Sequence, residues 1–99
     1  MAAGTIPQTM QSLGLPTAIT LTSANDLDTL LTTGWYAWGA SNPSNIPVNV
    51  SYCSLIVEAV GANTRQTVFR ANYGNPAAPA EWTRYKFATG TWSAWTKTV

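Results

Sequence analysis

Near its carboxyl end the chain reads EWTRYKFATGTWSAWTK over residues 81–97, and the alternation leaves little choice of backbone. Thr83, Tyr85 and Phe87 fall on one side of an extended chain and Trp82, Arg84 and Lys86 on the other, the period of two that defines a strand. Thr89-Gly90 interrupts the run before a second aromatic stretch. A glycine at the second position of a two-residue connection suits a primed hairpin turn, because positive φ costs it no Cβ clash. The expectation is a β-hairpin turning at Thr89-Gly90, which Gly90→Val would disrupt. Trp92 and Trp95 are an odd number of residues apart and would occupy opposite faces of an ideal strand. Either both faces are partly covered, the arrangement favoured here, or a bulge re-aims one ring.

With 99 residues the chain makes one domain, near the size at which burial alone stabilises only marginally, so help from a partner is plausible on size. Five Trp and four Tyr mean that bulky rings, rather than layers of aliphatic side chains, fill the core. Charged residues make up only 9%, and Lys plus Arg at 5 against Asp plus Glu at 4 leaves no basic stripe to track phosphates. Nucleic acid is therefore not an expected partner. A surface of Thr, Ser and Asn with so little charge suits sugars or further copies of the chain. Met1 is followed by Ala-Ala-Gly-Thr, without a basic segment and apolar run, and nowhere do 18 apolar residues occur together. Neither a signal peptide nor membrane insertion is expected.

From the start, residues 5–14 (TIPQTMQSLG) carry helix signals: a Thr cap, Pro7 in the first turn and Gly14 at the stop. Ile6, Met10 and Leu13 form a narrow apolar stripe on a piece too short to be stable alone, so either the domain or other copies of the chain must cover it. Residues 15–17 read as a linker. Residues 23–31 (SANDLDTLL) predict one or two helical turns capped by Ser23, with Asp26 in the first turn and Leu27, Leu30 and Leu31 as the apolar face. A strand follows at 35–38, with Tyr36 and Trp38 on one face. Residues 39–47 are turn chemistry and make a surface loop. Residues 52–60 are the strongest aliphatic run, a central strand interrupted by Glu58, and 65–72 alternate as the return arm after a turn at 61–63. Residues 73–80 form a second surface loop. Residues 1–20 are thus a helical or extended spacer and 21–99 a β-rich domain.

Chemistry is sparse. There is no His, and Cys53 is the only cysteine, so an intrachain disulfide, an imidazole base and a thiolate metal cluster are all excluded. Cys53, among Tyr52, Leu55, Ile56 and Val57, reads as a packing residue. The four acids fit no catalytic pair: Asp26 reads as a cap, Asp28 points to another side of the helix, and Glu58 and Glu81 sit on separate strands, Glu58 being expected to pair with Arg65 or Arg70 across the hairpin. No catalytic residue, metal site or cofactor is expected. Trp35, Trp92 and Trp95 are assigned to the core. Trp38, Tyr73 and Trp82 adjoin loops rich in Asn, Pro and Gly, where a ring can stack on a sugar while Asn42, Asn45, Asn75 or Arg84 binds hydroxyls. The 73–80 loop leads this set: Tyr73→Ala and Asn75→Ala are expected to weaken binding.

The order of these pieces resembles a known family. DLDTLLTTGWYAW, a buried strand ending at Gly61, QTVFRANYG and then EWTRYKFATGTWSAWTK look like the small C-terminal knob domains of bacteriophage tail fibres and R-type pyocin fibres. The likeness spans residues 21–97, and MQSLGLP is similar to the spacer that often precedes such knobs. It implies an all-β or β-rich fold, a small antiparallel sheet domain with one or two short N-terminal helices, assembled as a trimeric knob. It further implies a virion protein at the tail-fibre tip, whose partners are a bacterial surface polysaccharide and its own copies as a homotrimer. Two alternatives stand beside a glycan-binding knob: a trimerisation or folding-register module with no ligand, and a glycan-cleaving tip. The family motif is mainly structural and carries over no binding or catalytic positions.

Overall fold

A computed structural model describes residues 18–48, 50–70 and 80–98. The helix expected at 5–14, with its Ile6, Met10 and Leu13 stripe, lies outside the described residues, as does nearly all of the 73–80 loop. Six strands, β1 (Ile19–Leu21), β2 (Gly34–Trp38), β3 (Cys53–Val60), β4 (Asn63–Arg70), β5 (Ala80–Lys86) and β6 (Thr96–Lys97), form one sheet in the order of the chain. β1 runs parallel to β2 and every other pairing is antiparallel. The described residues are β-rich with almost no helix.

β3 and β4 form the central hairpin in full register from Cys53↔Arg70 to Val60↔Asn63. Between Val60 and Asn63 only Gly61 and Ala62 remain, and Gly61 has a φ of +61°. Positive φ at the first of two turn residues, where a side chain would be strained, is what makes glycine fit there. The register sets Glu58 opposite Arg65, and Arg65 Nε and Nη2 donate to the Glu58 carboxylate at 2.8 Å each. Of the two arginines considered for Glu58, Arg65 is the partner.

The register also sorts side chains onto two faces. Tyr36, Leu55, Val68 and Trp82 lie in one row across β2 to β5, with Trp38 and Cys53 beside it and Val57, Gln66 and Arg84 on the other side. Leu27, Leu30, Ile46, Val50 and Trp95 close over this inner face, so that it becomes the core. Cys53 is buried within it, and loss of solvent pushes its thiol up to about 11, the inert packing residue anticipated. The outer face carries Trp35, Ile56, Thr67, Phe69, Thr83 and Tyr85.

Several expectations change here. The helix at 23–31 reduces to a single 3-10 turn, Leu27–Thr29, and its N-cap is Asp26 rather than Ser23: the Asp26 side chain accepts from Asp28 N at 2.9 Å. A short segment pressed on a sheet by Leu27 gains more from placing that one side chain than from extending a helix whose interior would hold Ser, Asn and two Asp. Trp35, assigned to the core, is 37% exposed, because its strand alternation puts it on the outer face. Thr89-Gly90 is not a two-residue hairpin turn. The bend is Phe87 to Gly90, closed by Gly90 N donating to Phe87 O at 3.0 Å, and Gly90 does not adopt positive φ. The reason for expecting Gly90→Val to be disruptive therefore falls away.

The returning arm does contain the bulge considered above. Lys86 bridges Trp92, whereas Thr83 faces Thr96, so three steps along β5 correspond to four along the return. That extra residue shifts parity, and Trp92 and Trp95 come to the same side of the sheet. Trp95 thereby falls in line with Arg84, and Trp92 with Lys86.

Candidate functional site

Three stretches far apart in sequence meet over the inner face at β5. Gln66 on β4 is fully buried and donates from Nε2 to the carbonyls of Leu27 at 2.7 Å and Leu30 at 3.0 Å, pinning the 3-10 turn. Its Oε1 accepts from Arg84 Nε at 2.9 Å. Arg84 Nη1 lies 2.9 Å from Asp28 Oδ1, an ion pair rather than an aligned hydrogen bond. The guanidinium carbon stands 4.1 Å from the Trp92 ring centroid and 4.6 Å from that of Trp95. Arg84 Nη2 is buried with no hydrogen-bond partner among the described residues, so the aromatic faces are its compensation. Burial pulls the Arg84 pKa below its ordinary value, and the adjacent Asp28 carboxylate opposes that.

The rings are themselves tied down. Trp92 Nε1 donates to Asp28 O at 3.2 Å, and Trp95 Nε1 donates to Asn45 O at 3.1 Å. Asn45 sits in the left-handed region at a φ of 62°, a conformation Asn tolerates, and its Nδ2 donates to Asp26 Oδ1 at 2.7 Å. Ser93 closes the return arm: its N donates to Tyr85 O at 2.8 Å and its Oγ accepts from Tyr85 N at 2.9 Å. These anchors leave an open cavity of about 470 Å³ bordered by Asp28, Asn45, Arg84, Lys86, Trp92 and Ser93. That volume falls within the roughly 300–1,000 Å³ usual for small-ligand sites.

The Asn45 and Asp28 amide hydrogen bonds, in that order, hold the Asp26 carboxyl below its ordinary range. Its folded value is thus lower than its unfolded one, so it stabilises the fold above the unfolded value and ceases to do so as pH falls through the folded value. The stability gap between the parent and Asp26→Ala, measured by urea midpoint, should be full at neutral pH and narrow as pH falls below about 4. A gap that stays constant down to pH about 2 would show that this carboxylate is not held by its charge.

The residues proposed from sequence divide sharply. Asn45 and Arg84 meet at the cavity, although Arg84 is its buried floor rather than an exposed donor. Trp38 and Trp82 are 3% and 6% exposed and belong to the core, with Trp38 Nε1 donating to Val50 O at 3.0 Å. Neither offers a face to a sugar, because alternation places both on the covered side of the sheet. Asn42 accepts from Ser51 Oγ at 2.9 Å and braces its own loop. Tyr73 and Asn75 lie outside the described residues. Sequence reasoning missed Asp28, Lys86, Thr91 and Ser93 as cavity residues, placed Trp92 in the core rather than at the cavity edge, and missed Gln66 as their support. Gln66 did carry a signal, since it is a polar residue alternating with Val68 on the face that meets Trp82 and Arg84.

Among the described residues no three of His, Cys, Asp and Glu gather as a metal site, and no helix is long and apolar enough to cross a membrane. Compared with known proteins, the chain matches no family model, no curated protein and no solved structure.

Proposed function

We propose that the chain is the receptor-binding tip domain of a phage or pyocin tail fibre, a homotrimer that attaches the particle to a bacterial surface glycan. The observation that carries this reading is the cavity beside Arg84: three chain segments, each fixed by hydrogen bonds, present amide, hydroxyl, charged and aromatic groups to solvent at one place. Groups ordered before a ligand arrives bind it with less entropic loss. Weak affinity per site, repeated around a trimer and across several fibres, gives firm attachment through avidity. Three of the four acids favour binding over hydrolysis: Asp26 caps a turn, Asp28 pairs with Arg84 and Glu58 pairs with Arg65. The number three comes from the resemblance to fibre knobs.

A second reading, a trimerisation or folding-register module without its own ligand, is favoured by the outer face, where Trp35, Ile56, Tyr85 and Phe87 are exposed. Light scattering together with a bacterial glycan array, both on the isolated chain, separates the two. A trimer mass with glycan binding is the expected result. A trimer that binds no glycan selects the module, and a monomer mass at micromolar concentration overturns the trimer in both readings.

A further inference from the structure

The charges around the Arg84 cavity do not cancel. Asp28 and Arg84 neutralise each other at 2.9 Å, which leaves Lys86 as the remaining charged group on its lining. Lys86 is half-buried at the end of β5, and its ammonium has no ion-pair or hydrogen-bond partner among the described residues. Asp26, the next acid, is already engaged by Asn45 and the Asp28 amide. The cavity therefore presents a net single positive charge beside the Trp92 ring.

We infer that this cavity takes a carboxylate-bearing sugar, a hexuronate unit, with the Lys86 ammonium pairing the carboxylate and Asp28, Asn45 and Thr91 meeting the hydroxyls. This rests on the glycan-binding reading above and narrows it. One unpaired ammonium matches one carboxylate. A dianionic phosphate would leave one of its two charges unmatched by this single cation, whereas a monoanionic carboxylate leaves none. A neutral sugar would leave the ammonium partly desolvated and unpaired, which costs free energy that a carboxylate recovers. Hydroxyl groups suit the rest of the wall: the Asp28 carboxylate and the Asn45 side-chain carbonyl accept, and the Thr91 hydroxyl does either.

The test is calorimetric titration of the full chain with gluco-, galacto- and mannuronate oligomers and with the same oligomers after carboxyl reduction, for the parent and Lys86→Gln. At least one uronate should bind the parent at least about five-fold more tightly than its reduced form, the scale of one partly exposed ion pair. Lys86→Gln should abolish that preference, binding the uronate and its reduced form alike, and should melt at the same temperature as the parent. Added salt should weaken uronate binding by the parent and leave the variant unaffected. Equal binding of both forms by the parent overturns the uronate assignment and leaves glycan binding standing. A preference that survives in Lys86→Gln overturns the role of this cavity. Binding of neither form overturns the assignment, and the glycan array then decides whether the broader reading falls with it.

Discussion

Arg84→Met is expected to lower the unfolding free energy by about 3 kcal/mol, the lower end of the cost of breaking a buried ion pair. For a domain of this size that corresponds to a fall in melting temperature of roughly 12–24 °C. Methionine keeps much of the length and apolar bulk, so the loss reports the guanidinium rather than a cavity. Three interactions go together: the hydrogen bond to Gln66, the ion pair to Asp28 and the cation between Trp92 and Trp95. The estimate stays low because the abandoned partner can recover water: the Asp28 side chain is 44% exposed, against 5% for Arg84. Arg84→Lys should recover less than half of the loss, since a point ammonium cannot serve Gln66, Asp28 and two rings from one planar fork. Tryptophan emission should shift to the red in Arg84→Met as Trp92 and Trp95 lose their shared anchor. A melting temperature within a few degrees of the parent would show that the guanidinium is a bystander.

Gln66→Leu should cost about as much, roughly 3–5 kcal/mol, for a different reason. Leucine fits the space but leaves the Leu30 carbonyl and Arg84 Nε without their partner and the buried Leu27 carbonyl with the Leu30 amide alone. Buried polar groups left unsatisfied cost more than the hydrogen bond contributed, so shape complementarity does not rescue the variant. The effect should also be local before it is global. Amide exchange at Thr29 and Leu30, whose N–H groups close the 3-10 turn onto Asp26 and Leu27, should accelerate more than exchange in β3. Because Gln66 and Arg84 share a hydrogen bond, Gln66→Leu and Arg84→Met combined should cost less than their sum by more than 0.5 kcal/mol, beyond the usual scatter of independent sites. Additive losses would separate the two residues into unrelated roles.

Much of the sheet was open to reading from the chain alone. An aliphatic run located β3 and alternation β4 and β5, Gly61 marked the tight turn between the first two, and opposite charge offered Glu58 either Arg65 or Arg70, of which the register takes Arg65. Each of these is decided within about a dozen residues, by backbone sterics or by neighbours across one turn. The last hairpin was legible as to its strands but not its turn, because Gly90 could equally close a two-residue connection or end the four-residue bend that forms.

Alternation sorts side chains into two sets without saying which set is covered, and the candidate site turned on that point. Trp38 and Trp82 share the covered side while Trp35 faces outward, the reverse of assignments that rested on loop proximity for the first two and on the number of Trp for the third. What covers the inner face arrives from elsewhere in the chain: Leu27 is pinned by Gln66 39 residues away, Trp95 by Asn45 at 50 and Trp92 by Asp28 at 64. The sequence by itself determined a β-rich chain with its central strands in antiparallel hairpins, Glu58 paired and Cys53 inert, since local sterics and burial tendencies suffice for those; the parallel pairing of β1 with β2 was not legible. Only the tertiary structure decided that a one-residue bulge turns Trp92 and Trp95 onto the same cation and opens a cavity at Lys86. That outcome depends on register between distant segments, where one residue more or less exchanges the two faces of a strand.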